Sequence, residues 1–599
     1  MTGSRSKGGP GVVRAVALSL AVMVAAPLAA QETAPLDIVP IPMPTVEVDE
    51  FGATPDTAAP AAGESVAEFE VGEVKAPDPE AAGLIEEADG GFPFDMWAGT
   101  DRRLVERLLP RLPAGVTSRA VNDLTRRLLL SAAAPPQGPA EANLLALRIE
   151  RLAAMGEGVA VNHLMRAAPP DLDDATLSRT RLDALLLTAD FVGACAQARE
   201  LMRTDDLPYW EKVLIFCQAL NDRHAAAALG IELLRERGIP DDPALEVLLA
   251  ALAGSAFGEL DSLPEPTALH LAMLRAARLA VPEDAIRNAN PVIARAIALA
   301  ATVPLDLRLR AAERAEALGS LPTETLAELY ASVPFTPEEL SNPWRRIKTD
   351  RGALARALLH QAMAIQVVPA ARAEVLRAAW LLGAESGGWD GLATAARVNL
   401  DDLLGLRPLP ELVWIAGDAA QALLAAGRPD AVGPWLDLAK AQARANADAA
   451  QAVAKLAPVV DFADAASAEP WDDARFAAWR EMQADRPEPD RQRGDKLLLG
   501  LLLAFERELP AEALLAQVED PAMVWVRPPP QLLMRRLDMA AAEGRIGETV
   551  MLALIALGAP DYGLPDPMTL GAAVAALYRI GLEADARAIA VEALLSREF

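Results

Sequence analysis

From residue 92 to the C-terminus, apolar residues recur at helical spacing. Leu104, Leu108 and Leu112 stand at every fourth position with Val105 and Leu109 beside them, while Asp101, Arg103, Glu106 and Arg107 occupy the other faces. Near the far end, Ala584, Ala588, Val591 and Leu595 form an apolar stripe, and Glu583, Asp585, Arg587 and Glu592 fall off it. Both patterns carry the period of a helix with one buried face. About two dozen such segments of roughly 10 to 18 residues follow one another, separated by short Gly, Pro or Asp-Asp breaks. Start signals agree with the period. Thr336-Pro337-Glu338-Glu339 reads as a capping box with Pro337 at the first helical position. Runs of alternating β-branched residues are absent, so the pattern predicts an all-α protein.

Residues 31–91 interrupt this order. Pro35, Pro40, Pro42, Pro44, Pro55, Pro60, Pro77 and Pro79 break any regular element, and residues 31 to 90 hold fifteen acids against the single base Lys75. Low hydrophobicity with high net charge predicts a disordered acidic linker. As a flexible coil it reaches on the order of 45 Å. It reads as a solvated spacer or as a tether that docks through a short apolar motif such as Leu36-Asp37-Ile38-Val39.

Residues 1–30 have the order of a secretory signal peptide. Arg5, Lys7 and Arg14 precede an uncharged run from Ala15 to Ala30, which ends in the small residues Ala29 and Ala30. That run contains Pro27 and is shorter than the roughly 20 residues a membrane span requires. The expectation is therefore export to a bacterial periplasm, with a retained N-terminal anchor as the alternative and no integral span in the mature chain. The formal net charge is −28. Such a polyanion repels nucleic acid and anionic lipid, whose binding depends on clustered Lys and Arg.

The breaks suggest repetition. Ala425-Ala426-Gly427-Arg428, Ala542-Glu543-Gly544-Arg545 and Arg579-Ile580-Gly581-Leu582 each lie between a pair of amphipathic segments, and Gly544 and Gly581 lie 37 residues apart, about one helix pair. The stretch from Gly581 to Ala588 resembles the turn and second helix of a tetratricopeptide repeat, as does Asn221 to Leu234. The resemblance covers the hairpins around Gly544–Gly581 and Asn221 specifically and the rest of the chain by architecture. It implies a right-handed superhelix, an α-solenoid of stacked antiparallel hairpins, with Ala584 or Ala588 as the small residue at a helix crossing. Such a fold usually serves as a protein-binding surface. The densest interruption runs from Val333-Pro334-Phe335 to Pro343-Trp344 and a second lies at Pro458 to Pro470, so the body reads as one long solenoid or as two lobes, 92–345 and 346–599.

Candidate chemistry is sparse. In Gly383-Ala384-Glu385-Ser386-Gly387-Gly388, Glu385-Ser386 after a helix resembles the catalytic Glu-Ser of lytic transglycosylases. That resemblance implies a peptidoglycan-processing enzyme with Glu385 as a general acid of raised pKa. The other reading is a glycine-rich hairpin turn, with Trp389-Asp390-Gly391-Leu392 opening the next helix. His163, His224, His270 and His360 have no metal-ligand spacing, and no phosphate loop or dinucleotide fingerprint occurs, so neither metal nor cofactor is expected. The leading expectation is a scaffold or assembly factor that binds cell-envelope proteins or peptides.

Cys195 and Cys217 are the only cysteines. Cys195 lies in the helical segment Phe191 to Met202 and Cys217 in Tyr209 to Leu220, with Thr204 to Pro208 as the connecting turn. The two positions are equidistant from Asp206, the centre of that turn, so an antiparallel hairpin sets them opposite each other, each about 16 Å from it. An oxidising compartment then predicts a disulfide between them.

Overall fold

The computed structural model describes residues 78–168, 174–254, 260–464, 469–519, 530–558 and 566–596. The signal peptide expected at 1–30, and the acidic linker as far as residue 77, lie outside them. Among the described residues there are 29 α-helical segments and no strand; the one β-type contact is an isolated bridge between Ile85 and Ser131. No described helix is long and apolar enough to cross a membrane.

Local chemistry sets the helix boundaries. Asp101, Ser118, Asn143 and Asp174 each cap a helix by accepting from backbone N–H groups of its first turn. Thr336 and Glu339 form the expected reciprocal capping box. Gly544 and Gly581 end the helices Gln531–Ala542 and Pro567–Arg579 with positive φ. Pro458 is an exception: it lies inside the continuous helix Ala447–Ala463. Alanine governs how closely helices pack. Pro291–Leu299 and Leu305–Ala317 meet through Ala294, Ala298, Ala311 and Ala315, all fully buried. With methyl groups at the crossing, two helix axes approach closely.

The cysteine hairpin forms as expected. The helices Phe191–Thr204 and Pro208–Leu220 lie antiparallel, and the Cys195–Cys217 disulfide joins them at a Cα separation of 5.8 Å. Fully buried Ala194 and Ala198 provide the close approach.

Three boundaries differ from the sequence expectation. The linker does not extend to residue 91. Glu80 pairs with Arg102 at 2.8 Å, and the buried Arg148 guanidinium donates to the carbonyls of Ala82, Leu129 and Ser131 at 2.7, 2.8 and 3.0 Å. Residues 78–91 are thus clamped to the body by hydrogen bonds that a count of acids and prolines does not register. The lobe division at 345/346 does not separate the cores either. One core joins residues 92–177 to 355–595, the other spans 182–398, and the chain from Lys75 to Phe599 clusters as one compact unit. Finally, on the last helix, Glu583–Ser596, Ala584 and Ala588 face solvent, while Ala586, Ile589, Ala590 and Ala593 are buried. Methyl groups give too weak a hydrophobic signal to orient a helix that packs on more than one side.

The two ends of the described chain meet. The helix Arg119–Leu130 packs on both Ile546–Leu557 and Glu583–Ser596. Gly547 N–H donates to the Met96 carbonyl at 2.9 Å, and Arg127 pairs with Asp585 at 2.9 Å. Stacked repeats touch only their neighbours. Here hairpins from opposite ends of the sequence are in contact.

Candidate functional site

The long segment Pro369–Val398 is two helices folded at a sharp turn. Gly387 and Gly388 break the helical geometry, Gly388 with φ +57°. Gly383 and Gly391 let the two arms touch: a Cβ on Gly391 would stand 2.1 Å from the Gly383 carbonyl oxygen. The glycine-rich segment is therefore a hairpin turn, and its tip stands where two cavities meet.

The larger cavity has a volume of about 670 Å³. Its walls come from the loop before Arg119–Leu130, from the tip of the glycine hairpin, and from the C-terminal helices. Leu112, Val116, Leu570, Ile589 and Trp389 supply apolar surface. Glu592 projects from the last helix into this wall. Its carboxylate accepts from the Ser118 hydroxyl at 2.5 Å and from the Ala120 N–H at 3.0 Å. Burial pushes its pKa up against those two bonds.

The smaller cavity, about 420 Å³, shares Gly387 and Asp390 with the larger one. Four arginines line it (Arg287, Arg310, Arg314 and Arg356) against three acids, Glu283, Glu313 and Asp390. Arg310 and Arg314 are one turn apart on Leu305–Ala317 and so share a face. Two buried clusters make the surrounding wall rigid. Arg356 grips Glu313 in a bidentate pair at 2.8 and 2.6 Å, and the Tyr330 hydroxyl donates to the same carboxylate at 2.6 Å. Arg397 grips the fully buried Glu316 at 2.6 and 2.8 Å, with hydroxyls of Thr394 and Thr323 completing its shell. Burial alone would raise the pKa of Glu316; Arg397 and the hydroxyls bring it below the usual carboxylate range.

Arg314 is not satisfied in this way. Its Nε is buried without an acceptor, and among the described residues it makes no ion pair within 4 Å. Burial lowers its pKa, opposed by the charge of Asp390 across the cavity. Asp390 is the converse case. Burial raises its pKa against a hydrogen bond from Thr117 and the charges of Arg314 and Arg397. One wall thus presents a guanidinium short of acceptors, opposite a carboxyl group whose pKa burial raises.

Glu385, the residue singled out from its neighbours in sequence, lines neither cavity. It is exposed and forms a bidentate pair with Arg351, which holds its pKa below the usual carboxylate range. A general acid needs the opposite shift, so the geometry corrects that expectation. The Ser386 hydroxyl is bonded to the Gly383 carbonyl at 2.9 Å, closing the turn. Cys195 and Cys217 belong to the second core, away from the cavity walls. Of the histidines, His270 is buried against Asp242 at 3.2 Å and His360 is bonded to Asn399 at 2.8 Å. No metal-ligand cluster occurs among the described residues. Trp389, which follows the glycine turn, borders the larger cavity, whereas Trp380 and Trp435 are buried in the core.

The cavity residues Arg314, Asp390 and Glu592 carry no motif. The one local signal is the Arg310–Arg314 spacing on a single helix face. Their partners lie tens to hundreds of positions away, so only the fold assembles them. No family model, curated protein or solved structure matches the chain.

Proposed function

We propose that the protein is an exported cell-envelope scaffold or assembly factor of a bacterial periplasm, which binds a segment of another envelope protein or peptide in its paired cavities. The observation that carries this reading is the pair of neighbouring cavities, about 670 and 420 Å³, which share Gly387 and Asp390 in their walls and are built by elements from both ends and the middle of the chain. Together these volumes exceed one side chain and suit an extended segment of several residues. The basic, apolar and small-residue order of residues 1–30 supports export, and the disulfide is compatible with an oxidising compartment. The acidic segment before residue 78 would give the body reach from its point of attachment.

Gly387→Trp is the discriminating variant. Gly387 lines both cavities, its φ of −144° suits any residue, and a Cβ there meets nothing within 4 Å. The indole would fill the junction without straining the backbone. Crosslinking pull-down from envelope extract should capture a defined partner with the wild-type protein and lose it with the variant. Absence of any crosslinked partner, or equal capture by Gly387→Trp, would sink the proposal. Release of muropeptides from peptidoglycan that disappears in Glu385→Gln would replace it with the enzymatic reading.

A further inference from the structure

Resting on that reading, the smaller cavity carries an assignment of ligand chemistry. We propose that it is a carboxylate-binding site, in which Arg314, assisted by Arg310 and Arg287, takes a free carboxylate of the bound ligand.

Three observations converge. First, the local charge opposes the global one. The chain has a formal net charge of −28, yet this cavity sets four arginines against three acids. Second, the arginines differ in how far the protein satisfies them. Arg356 spends its fork on Glu313, both groups being largely buried. Arg314 has a buried Nε with no acceptor, and the Nε of Arg310 is in the same state, its outer nitrogen reaching only exposed Glu283 and Asp306. Arg287 is exposed and makes no ion pair among the described residues, so it adds positive charge rather than an unmet buried donor. A buried donor left without an acceptor keeps its full desolvation penalty, and the penalty is larger when the group is charged. The Nε atoms of Arg127, Arg372 and Arg491 also lack an acceptor, but those guanidiniums bond elsewhere through their outer nitrogens, whereas among the described residues Arg314 makes no side-chain hydrogen bond or ion pair and lines a cavity. Third, the shape of the missing partner is constrained. A guanidinium presents a planar fork that matches a carboxylate in bidentate geometry. Asp390 and Glu313 in the same wall disfavour a dianion, so a monoanion fits better than phosphate. Ala317, Ala379, Ala395 and Val398 leave room beside the arginines for a short apolar group. Past Asp390 the larger cavity continues with apolar walls. The chemistry is that of a carboxylate on a small apolar stem, as at the C-terminus of a chain ending in a small residue, or in a short free acid.

The test uses the full mature protein and four probes: N-acetyl-tetra-alanine with a free C-terminus, its C-terminal amide, propionate, and inorganic phosphate. Binding is read by calorimetry and by the shift in Tm, since a ligand of the folded state raises Tm in proportion to ln(1 + [L]/Kd). The free-acid peptide should bind at least tenfold more tightly than the amide, and phosphate should not compete with it. Propionate binding without peptide binding would keep the carboxylate assignment and make the ligand a free small acid. Arg314→Met should abolish the acid-over-amide preference while leaving the unliganded protein as stable as the wild type or more so, because it replaces a half-buried charge that makes no ion pair by an apolar chain of similar length. A purely structural arginine would give the reverse, a lower Tm. If Arg314→Met fails to fold, Arg310→Met on the same helix face provides the second reading, with a several-fold loss of the preference. Equal binding of acid and amide, an unchanged preference in the variants, or no binding of any carboxylate probe overturns the assignment. Partner capture lost in Gly387→Trp would stand in each of those cases, so the carboxylate assignment and the scaffold reading fail separately.

Discussion

The Cys195–Cys217 hairpin and the junction between the two chain ends are both helix-on-helix contacts, yet they are held by different means. In the hairpin the partners are 22 residues apart, Pro208 opens the second helix, and buried Ala194 and Ala198 let the helices close until a disulfide forms. At the junction the partners Ser118 and Glu592 are 474 residues apart. The contact there combines apolar packing, with Val121, Leu124, Val550, Leu554 and Ile589 in one core, and polar links: Glu592 accepts from Ser118 and Ala120, and Arg127 pairs with Asp585, beside the larger cavity. The hairpin closes a short loop and reinforces it covalently, whereas the junction closes nearly the whole chain through a shared apolar core with hydrogen bonds and an ion pair beside it. Closing a short loop costs little chain entropy, whereas the contact between the chain ends closes a loop of several hundred residues and borders the candidate binding site.

Breaking the covalent member should have the largest effect. Cys195→Ala with Cys217→Ala removes a cross-link whose loop-closure contribution is about 3 kcal/mol. Denaturant unfolding should register that loss, and hydrogen exchange should rise in 191–220 and leave 119–130 unchanged. A rise of equal size at the junction would show that the two regions unfold as one unit, and the contrast would fail.

A buried group outside both regions serves as a pH-dependent control. Asp495, on the helix Glu488–Ala504, is buried with Arg480 at 3.1 Å and one carboxylate oxygen unpaired. Burial pushes its pKa up to about 6, only partly opposed by Arg480. The folded state therefore holds a proton that the unfolded chain has lost. Stability from this group is full below the ordinary carboxylate range and declines as pH rises toward and through 6. Between pH 4.5 and 6.5 the decline should be roughly 2 kcal/mol, and Asp495→Asn should flatten it. An unaltered pH profile in the variant would show that Asp495 is ionised in the fold. Exchange in the hairpin and at the junction should remain unchanged.

The smallest effect belongs to the junction. Glu592→Ala leaves the Ala120 N–H without its acceptor, but the cavity has room for water to replace it, so the cost should be about 1 kcal/mol. Hydrogen exchange should rise together in 119–130 and 583–596. If it rises in only one of the two helices, Glu592 is not what couples them.

Helix period, caps and turn glycines were enough to identify an all-α chain, the Thr336 capping box and the disulfide hairpin, because each involves residues within a few turns of one another. The same local signals mislead at the last helix. Alanine at both faces gives no hydrophobic contrast, and Glu592, which falls off the apolar stripe, is a cavity wall. Glu385 stands out for its glycine-rich neighbours, which serve the turn; its own carboxylate is spent on Arg351.

The sequence by itself determined that the body is all-α, that Thr336 opens a helix with a capping box and that Cys195 and Cys217 pair across a hairpin, since those outcomes depend on backbone propensity and short-range contact. Only the tertiary structure decided that residues 78–91 are clamped by Arg148, that residues 92–177 share a core with 355–595, and that Arg314, Asp390 and Glu592 line two adjoining cavities. The reason is physical. A side chain's burial, and hence its charge state and unmet hydrogen bonds, depends on atoms brought near it from any distance along the chain, and a local pattern carries no record of them.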